Sequence, residues 1–472
     1  MFVNPIQKQD RLEVVIISTG FNGISIARHD GIVIFVDGGI AGDKVLVEVY
    51  KVKKQHCEAR IIEIKSYSDK RVKPQCQHFG VCGGCKWQHL QYESQLSEKQ
   101  QQVIDAIERV GGFKNILVEP ILPSSELYFY RNKLEFSFGT SRWKTNEELL
   151  ANPIDEKEFI LGFHAPQRWD KLVHVEECHL QSKQSNDILS FVRNFAKQNN
   201  LTAYDSKTRE GYLRNLVIRE GKFTNETLVN LVTSNSNPEL MKTLTNELLK
   251  SFPNITTVLN NINSRLSQVA IGEVEIIYHG DGFIHEKIDE QIYQISANSF
   301  FQTNSFQTLK LYEIVRNYAE LKKSDIVYDL YCGTGTIALS IAPFVKKAIG
   351  VELEKSSITN ANKNAELNNI QNCEFIQGDL KDRLKEIIIS NPPDVIIVDP
   401  PRSGLHPKII KELNNLAIKK IIYVSCNPQT LARDLRLLAE GGYVIEKIQP
   451  VDMFPHTFHI ETVVKLNHNK VN

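Results

Sequence analysis

Ile421-Ile-Tyr-Val-Ser-Cys426-Asn-Pro-Gln-Thr430 reads as a strand that hands over to a helix. Its β-branched apolar half is what a strand buried on both faces requires. Asn427-Pro428 then supplies an N-cap and a first helical residue for the segment through Asp434. Cys426 therefore stands where the carboxyl end of a strand meets the amino end of a helix. Unpaired N–H groups and the helix dipole favour an anion there, which lowers a thiol's pKa and makes it a nucleophile. The same ten residues also fit a small apolar cysteine packed at a strand end.

The surrounding segment, from about residue 296 to 472, alternates strand and helix signals in the manner of a doubly wound parallel sheet. Strands are expected at 326–330, 348–351, 375–376, 395–398 and 421–425. Each ends beside a chemically notable residue: Asp329 with Gly333 and Gly335, then Glu352, Asp379, Asp399 and Cys426. Open α/β sheets hold ligands at strand carboxyl ends, so that edge is the expected site. Gly333-Thr-Gly335 lets the backbone approach a ligand, and Glu352 follows at about the distance of an acid that grips ribose hydroxyls. A nicotinamide dinucleotide enzyme would satisfy that much. It has no need of the rigid turn Asp399-Pro-Pro-Arg402, nor of a thiol on the next strand. The turn resembles the Asp/Asn-Pro-Pro motif of S-adenosylmethionine-dependent methyltransferases.

A chain of 472 residues is too long for one core, and three domains are expected, at 1–66, 67–295 and 296–472. The 56 basic and 56 acidic residues cancel, which argues against a surface coated for nucleic acid but leaves room for a local basic face. The first ten residues carry no apolar core of signal-peptide length, and no apolar run reaches membrane-spanning length. Eight cysteines, several grouped by motif, suit ligation and catalysis in a reducing compartment, so a cytoplasmic location is expected.

Residues 1–66 contain five short strand-like runs separated by turn signals such as Asp30-Gly31 and Asp37-Gly38-Gly39, the pattern of an OB-like barrel. Lysines and arginines crowd positions 51–73, a stripe able to follow a phosphate backbone. This segment resembles the TRAM domain of RNA-modifying enzymes. Cys76, Cys82 and Cys85 then lie on one glycine-rich loop, a spacing that points to ligation. A fourth ligand is required, for which Cys178 is the first candidate and Cys57 the second; zinc and a 4Fe-4S cluster both fit an all-thiolate site. A polar amphipathic helix is expected at 91–111, free to pack on the catalytic part. The rest of the middle region reads as an α+β domain with an antiparallel sheet. Its Arg131, Lys133, Arg214 and Arg219 lie on strands near aromatic residues, a combination useful for RNA.

Taken together, Ser299-Phe300-Phe301-Gln302, Asp329-Leu-Tyr331-Cys-Gly333, Asp399-Pro-Pro-Arg402, Ser425-Cys426-Asn-Pro428 and His459-Ile-Glu461-Thr462 resemble the RNA uracil-5-methyltransferase family over nearly the whole chain. The likeness extends to the bacterial 23S ribosomal RNA branch, which carries TRAM and a 4Fe-4S cluster; the tRNA T-loop branch usually lacks both. The resemblance implies a Rossmann-like class I methyltransferase sheet, S-adenosylmethionine as methyl donor, and 23S ribosomal RNA as substrate, with tRNA second; with no obvious self-association segment and no membrane-length apolar run, a monomer without DNA or membrane partner is expected. It implies that Gln302, Tyr331, Glu352 and Asp399 bind the donor, that Cys426 is the nucleophile and Glu461 the base, and that Phe300 stacks on the target base. Gly333, Gly335 and Asp379 are added to the donor site by position, and Arg131, Lys133 and Arg402 to the RNA contacts. A radical methylase would show a tighter first cysteine gap than the five residues between Cys76 and Cys82. In a zinc-containing RNA-binding protein without catalysis, Cys426 and Glu461 would be idle.

Overall fold

The computed structural model describes residues 5–151, 157–166, 168–205, 207–266 and 269–469; residues 1–4 of the amino-terminal stretch read for a leader segment lie outside them. Strands β1 (Arg11–Thr19), β2 (Ser25–His29), β3 (Ile32–Asp37), β4 (Lys44–Val52) and β5 (His56–Ser66) close a barrel in the order β1-β2-β3-β5-β4. Alternation sends Val14, Ile16, Ile34, Val36, Val45 and Val47 into its core. Cys57 joins them there and is fully buried, which removes it as a ligand for the glycine-rich loop. Asp30 and Gly31 both take positive φ (48° and 81°), the type I′ geometry that suits a two-residue hairpin.

The helix Tyr92–Arg109 carries Val103, Ala106 and Ile107 into the core of the carboxy-terminal sheet. On the same buried side Lys99 meets Asp452 at 2.6 Å, both side chains being 0% exposed. Lys99 also donates to Phe454 O at 3.0 Å, and the Tyr92 hydroxyl donates to Asp452 at 2.8 Å. Gln95 binds the same loop from the side, accepting from His456 N at 2.8 Å.

The middle sheet comprises β6 (Lys133–Gly139), β7 (Ile160–Ala165), β8 (Arg168–His174), β9 (Leu213–Glu220), β10 (Thr227–Thr233), β11 (Ile255–Ile262) and β12 (Val274–His279), in the order β12-β11-β10-β9-β6-β7-β8. It is not wholly antiparallel as expected. The helix Pro238–Ser251 crosses between β10 and β11, and a crossover of that kind returns the chain parallel. Arg214 and Arg219 are also not surface charges for RNA. Arg219 donates to Ala297 O and Ser299 O at 3.1 and 2.5 Å, and Arg214 donates to Asn263 O and Arg265 O, both at 2.7 Å. Both are buried, and their charge is spent on carbonyls of neighbouring segments.

After a hairpin, β13 (Phe283–Ile288) and β14 (Gln291–Ser296), comes a second seven-stranded sheet. Its strands are β15 (Ile326–Leu330), β16 (Lys347–Glu352), β17 (Cys373–Gln377), β18 (Val395–Val398), β19 (Lys420–Ser425), β20 (Tyr443–Val451) and β21 (Glu461–His468), in the order β17-β16-β15-β18-β19-β21-β20. The first five run parallel, whereas β21 is antiparallel to β19 and β20. The order reverses at β15 and β18, which opens a crevice at their carboxyl ends. Among the described residues no helix is long and apolar enough to cross a membrane.

Candidate active site

The crevice is lined by the residues expected at the strand ends. Asp329, at the end of β15, accepts from Ala338 N at 2.9 Å and so anchors the helix Thr336–Ile341; its other carboxylate oxygen is buried without a partner. Burial, then the charges of Asp399 and Glu352, push its pKa well up. Gly335 has φ 79°, and a methyl group there would lie 2.7 Å from the Phe375 ring, so both its torsion and its packing require glycine. Gly333 N donates to Glu352 at 3.1 Å, while the other Glu352 oxygen accepts from Leu353 N and Glu354 N at 2.8 and 3.0 Å. These bonds fix the acid at the head of the crevice. Tyr331 takes φ 67°, and its hydroxyl is pushed up to about 12 by burial first and then by Asp379, Asp434 and Glu352. Asp379 caps the helix Leu380–Ser390 by accepting from Lys381 N.

Cys426 and Glu461 come together through strand register. Ser425 pairs with Thr462 in the antiparallel β19–β21 ladder, so one further step places Cys426 opposite Glu461. Burial, then Glu461 and Asp399, push the thiol up to about 12, against the downward pull of Arg402. Enclosure and two carboxyls from neighbouring strands thus oppose the lowering expected from the helix start. Glu461 is itself raised well above its ordinary value by burial and by Asp399. Burial alone lifts Asp399 to about 7. Arg402 reaches His459 Nδ1 at 3.3 Å, and that ring, pushed down to about 4 by burial and then by Arg402, Lys99 and Arg131, is neutral and can accept.

The remaining candidates form a second group. Cys76, Cys82, Cys85 and Cys178 line one cavity of about 700 Å³ together with Phe300, Arg131 and Lys133. Each thiol is raised by burial first, and each feels the charge of at least one of the others, save that Glu177 is the charge felt at Cys76. Among the described residues, no three His, Cys, Asp or Glu side chains form a group that would hold a single metal ion. Phe300 is 67% exposed, and Lys133 is paired with Glu135. Gln302 O accepts from Asn132 Nδ2 at 2.8 Å, which ties the segment to the middle sheet. His459 lines both this cavity and the cleft at Cys426. Sequence reasoning assigned no role to His459 and did not see Phe21, Asn22 or Gln102, which also line that cleft. Their partners lie hundreds of residues away, so no local pattern marks them.

The sequence model of the tRNA (uracil-5-)-methyltransferase family matches residues 91–469, and that of the TRAM domain matches residues 7–62. An uncharacterized RNA methyltransferase of Chlorobaculum tepidum is 43% identical over 440 residues, covering 92% of this chain and 91% of its own. Another from Bacteroides thetaiotaomicron is 41% identical over 450 residues, covering 94% and 98%. Among solved structures, the tRNA (uracil-54, C5)-methyltransferase of Pyrococcus abyssi, in complex with S-adenosyl-L-homocysteine, is similar with a TM-score of 0.75 and 32% identity, covering 96% of this chain and 100% of its own. That coverage leaves out too little of this chain to omit the barrel, so a barrel does not by itself separate ribosomal from transfer RNA as substrate. The sheet, the amino-terminal barrel and these matches agree: the chain belongs to the tRNA (uracil-5-)-methyltransferase family and is an S-adenosylmethionine-dependent RNA methyltransferase.

Proposed function

We propose that this enzyme makes 5-methyluridine in 23S ribosomal RNA in the cytoplasm, as a monomer, with residues 1–66 and 67–295 positioning RNA for a catalytic part at 296–472. The observation that carries the chemistry is the register that sets Cys426 against Glu461 beside Asp399. Carbon 5 of uracil is a poor nucleophile. Cys426 loses its thiol proton to solvent, and addition of the resulting thiolate to carbon 6 converts the ring to an enolate, whose carbon 5 can take a methyl group. S-adenosylmethionine, held by Gln302, Tyr331, Gly333, Gly335, Glu352, Asp379 and Asp399, supplies that methyl group on a positively charged sulfonium. Glu461 then takes the carbon-5 proton, the carbon 5–carbon 6 double bond re-forms, and the thiolate leaves. Arg402 is the cation of this chain that draws the thiol toward its reactive form. Phe300, Arg131, Lys133 and Arg402 are read as RNA contacts, Phe300 replacing the stacking lost when the target base leaves its helix.

Cys76, Cys82, Cys85 and Cys178 are read as the ligands of a 4Fe-4S cluster. The support is that all four line one cavity and offer the all-thiolate donor set such a cluster takes. The cluster's part is to order RNA-facing segments, since methyl transfer by this route needs no electron. Transfer RNA is the second reading of the substrate, favoured by the Pyrococcus abyssi likeness. Incubation with 5-fluorouridine-substituted 23S and transfer RNA tests both. A stable covalent adduct is expected with the ribosomal RNA and none with Cys426→Ser; an adduct confined to tRNA overturns the substrate, and methylation by Cys426→Ser at the parent rate overturns the mechanism.

A further inference from the structure

The cleft at Cys426 is small, about 40 Å³, and three of its walls come from outside the catalytic sheet: Phe21 and Asn22 of the barrel and Gln102 of the helix Tyr92–Arg109. The barrel turn is built to stay there. Asn22 and Gly23 both take positive φ (60° and 71°), and a methyl group on Gly23 would lie 3.0 Å from the Phe458 ring, so the turn rests directly on the loop that precedes Glu461. On its other side Thr19 N donates to Glu98 at 2.7 Å. The backbone is thus fastened at both ends while the Phe21 ring is left 44% exposed beside the nucleophile. A large apolar ring carried on a fastened backbone in that position is a stacking platform. Gln102 adds a second sign: its side-chain N–H₂ is buried and has no acceptor, a condition that costs free energy until an oxygen arrives.

We infer that the Phe21–Asn22 turn and Gln102 hold the nucleotide beside the target uridine, Phe21 stacking on its base and Gln102 donating to one of its oxygens. The inference rests on the proposal that Cys426 attacks a uracil in RNA. It makes the barrel part of the catalytic cleft and gives the enzyme a means of reading the residue that flanks its target. Arg402 lines the same cleft.

Steady-state methylation by Phe21→Ala, Phe21→Trp and Gln102→Met, each against the parent protein, tests it on RNA with either neighbour of the target replaced by an abasic residue. Phe21→Ala should raise KM by roughly five- to 150-fold with kcat unchanged, the range of one lost stack. Phe21→Trp should restore the parent KM, and Gln102→Met should raise it. On the parent enzyme one abasic flank should cost the same factor as Phe21→Ala, and the two changes together should cost no more than one. A parent KM in Phe21→Ala, or losses that multiply at both flanks, overturns the inference. Failure of the parent itself to form an adduct with 5-fluorouridine RNA instead overturns the underlying function, which separates the two failures.

Discussion

Asp399→Asn should make the protein more stable while stopping its reaction. Asp399 directly follows β18 with its carboxyl enclosed, and burial lifts it from 3.8 to about 7. Between those values the folded chain holds a proton that the unfolded chain has released, so stability falls as pH rises through the window and is level above it. A carboxyl displaced that far costs the folded state about 4 kcal/mol once it is ionised, at about 1.36 kcal/mol for each pH unit. Asparagine has nearly the same shape and stays neutral throughout. Parent and variant should therefore unfold alike near pH 4, and the variant should lead by about 4 kcal/mol above pH 8. Chemical denaturation across that range, followed by hydrogen exchange at β18 and β19, measures the difference directly. Asp399 also raises Cys426 and Glu461, so iodoacetamide should label Cys426 faster in the variant at equal pH. An unchanged pH dependence, or a variant less stable than the parent at pH 8, would refute the placement of a proton on Asp399.

Two further outcomes follow from buried groups. Lys99→Met removes the partner of a fully enclosed Asp452 and should weaken the loop at residues 452–460 by about 3–5 kcal/mol; hydrogen exchange there should accelerate, and unchanged protection would contradict the pairing. Protein purified without oxygen should absorb broadly in the visible and lose that absorption in Cys178→Ala, whereas a colourless protein holding one zinc would overturn the cluster.

How much could be read from the chain alone differs by kind of element. The run at 395–398 coincides with β18 because a parallel strand covered on both faces leaves a continuous apolar signature. The barrel strands were legible from alternation, and their turns from Asp30-Gly31 and its counterparts. Arg214, Arg219 and Lys99 were not legible, since a buried charge looks like a surface one until its distant acceptor is known. The opposing influences on Cys426 were hidden for a related reason: the dipole is local, but the burial and then the carboxyls of Glu461 and Asp399 come from segments distant in the sequence. Antiparallel expectation for the middle sheet broke at β10 and β11, where helix Pro238–Ser251 reads equally well as a return or a crossover.

The helix Tyr92–Arg109 belongs by chain order to the middle of the protein and by packing to its end. A fragment beginning at residue 296 would leave Asp452 facing solvent without Lys99 and strip the cover from one side of its sheet. Modularity in this enzyme is therefore unequal. The barrel carries its own closed core, and replacing it would remove the Phe21 wall from the cleft. The helix is tied to the catalytic sheet, and a fragment that keeps that sheet covered must begin upstream of residue 92.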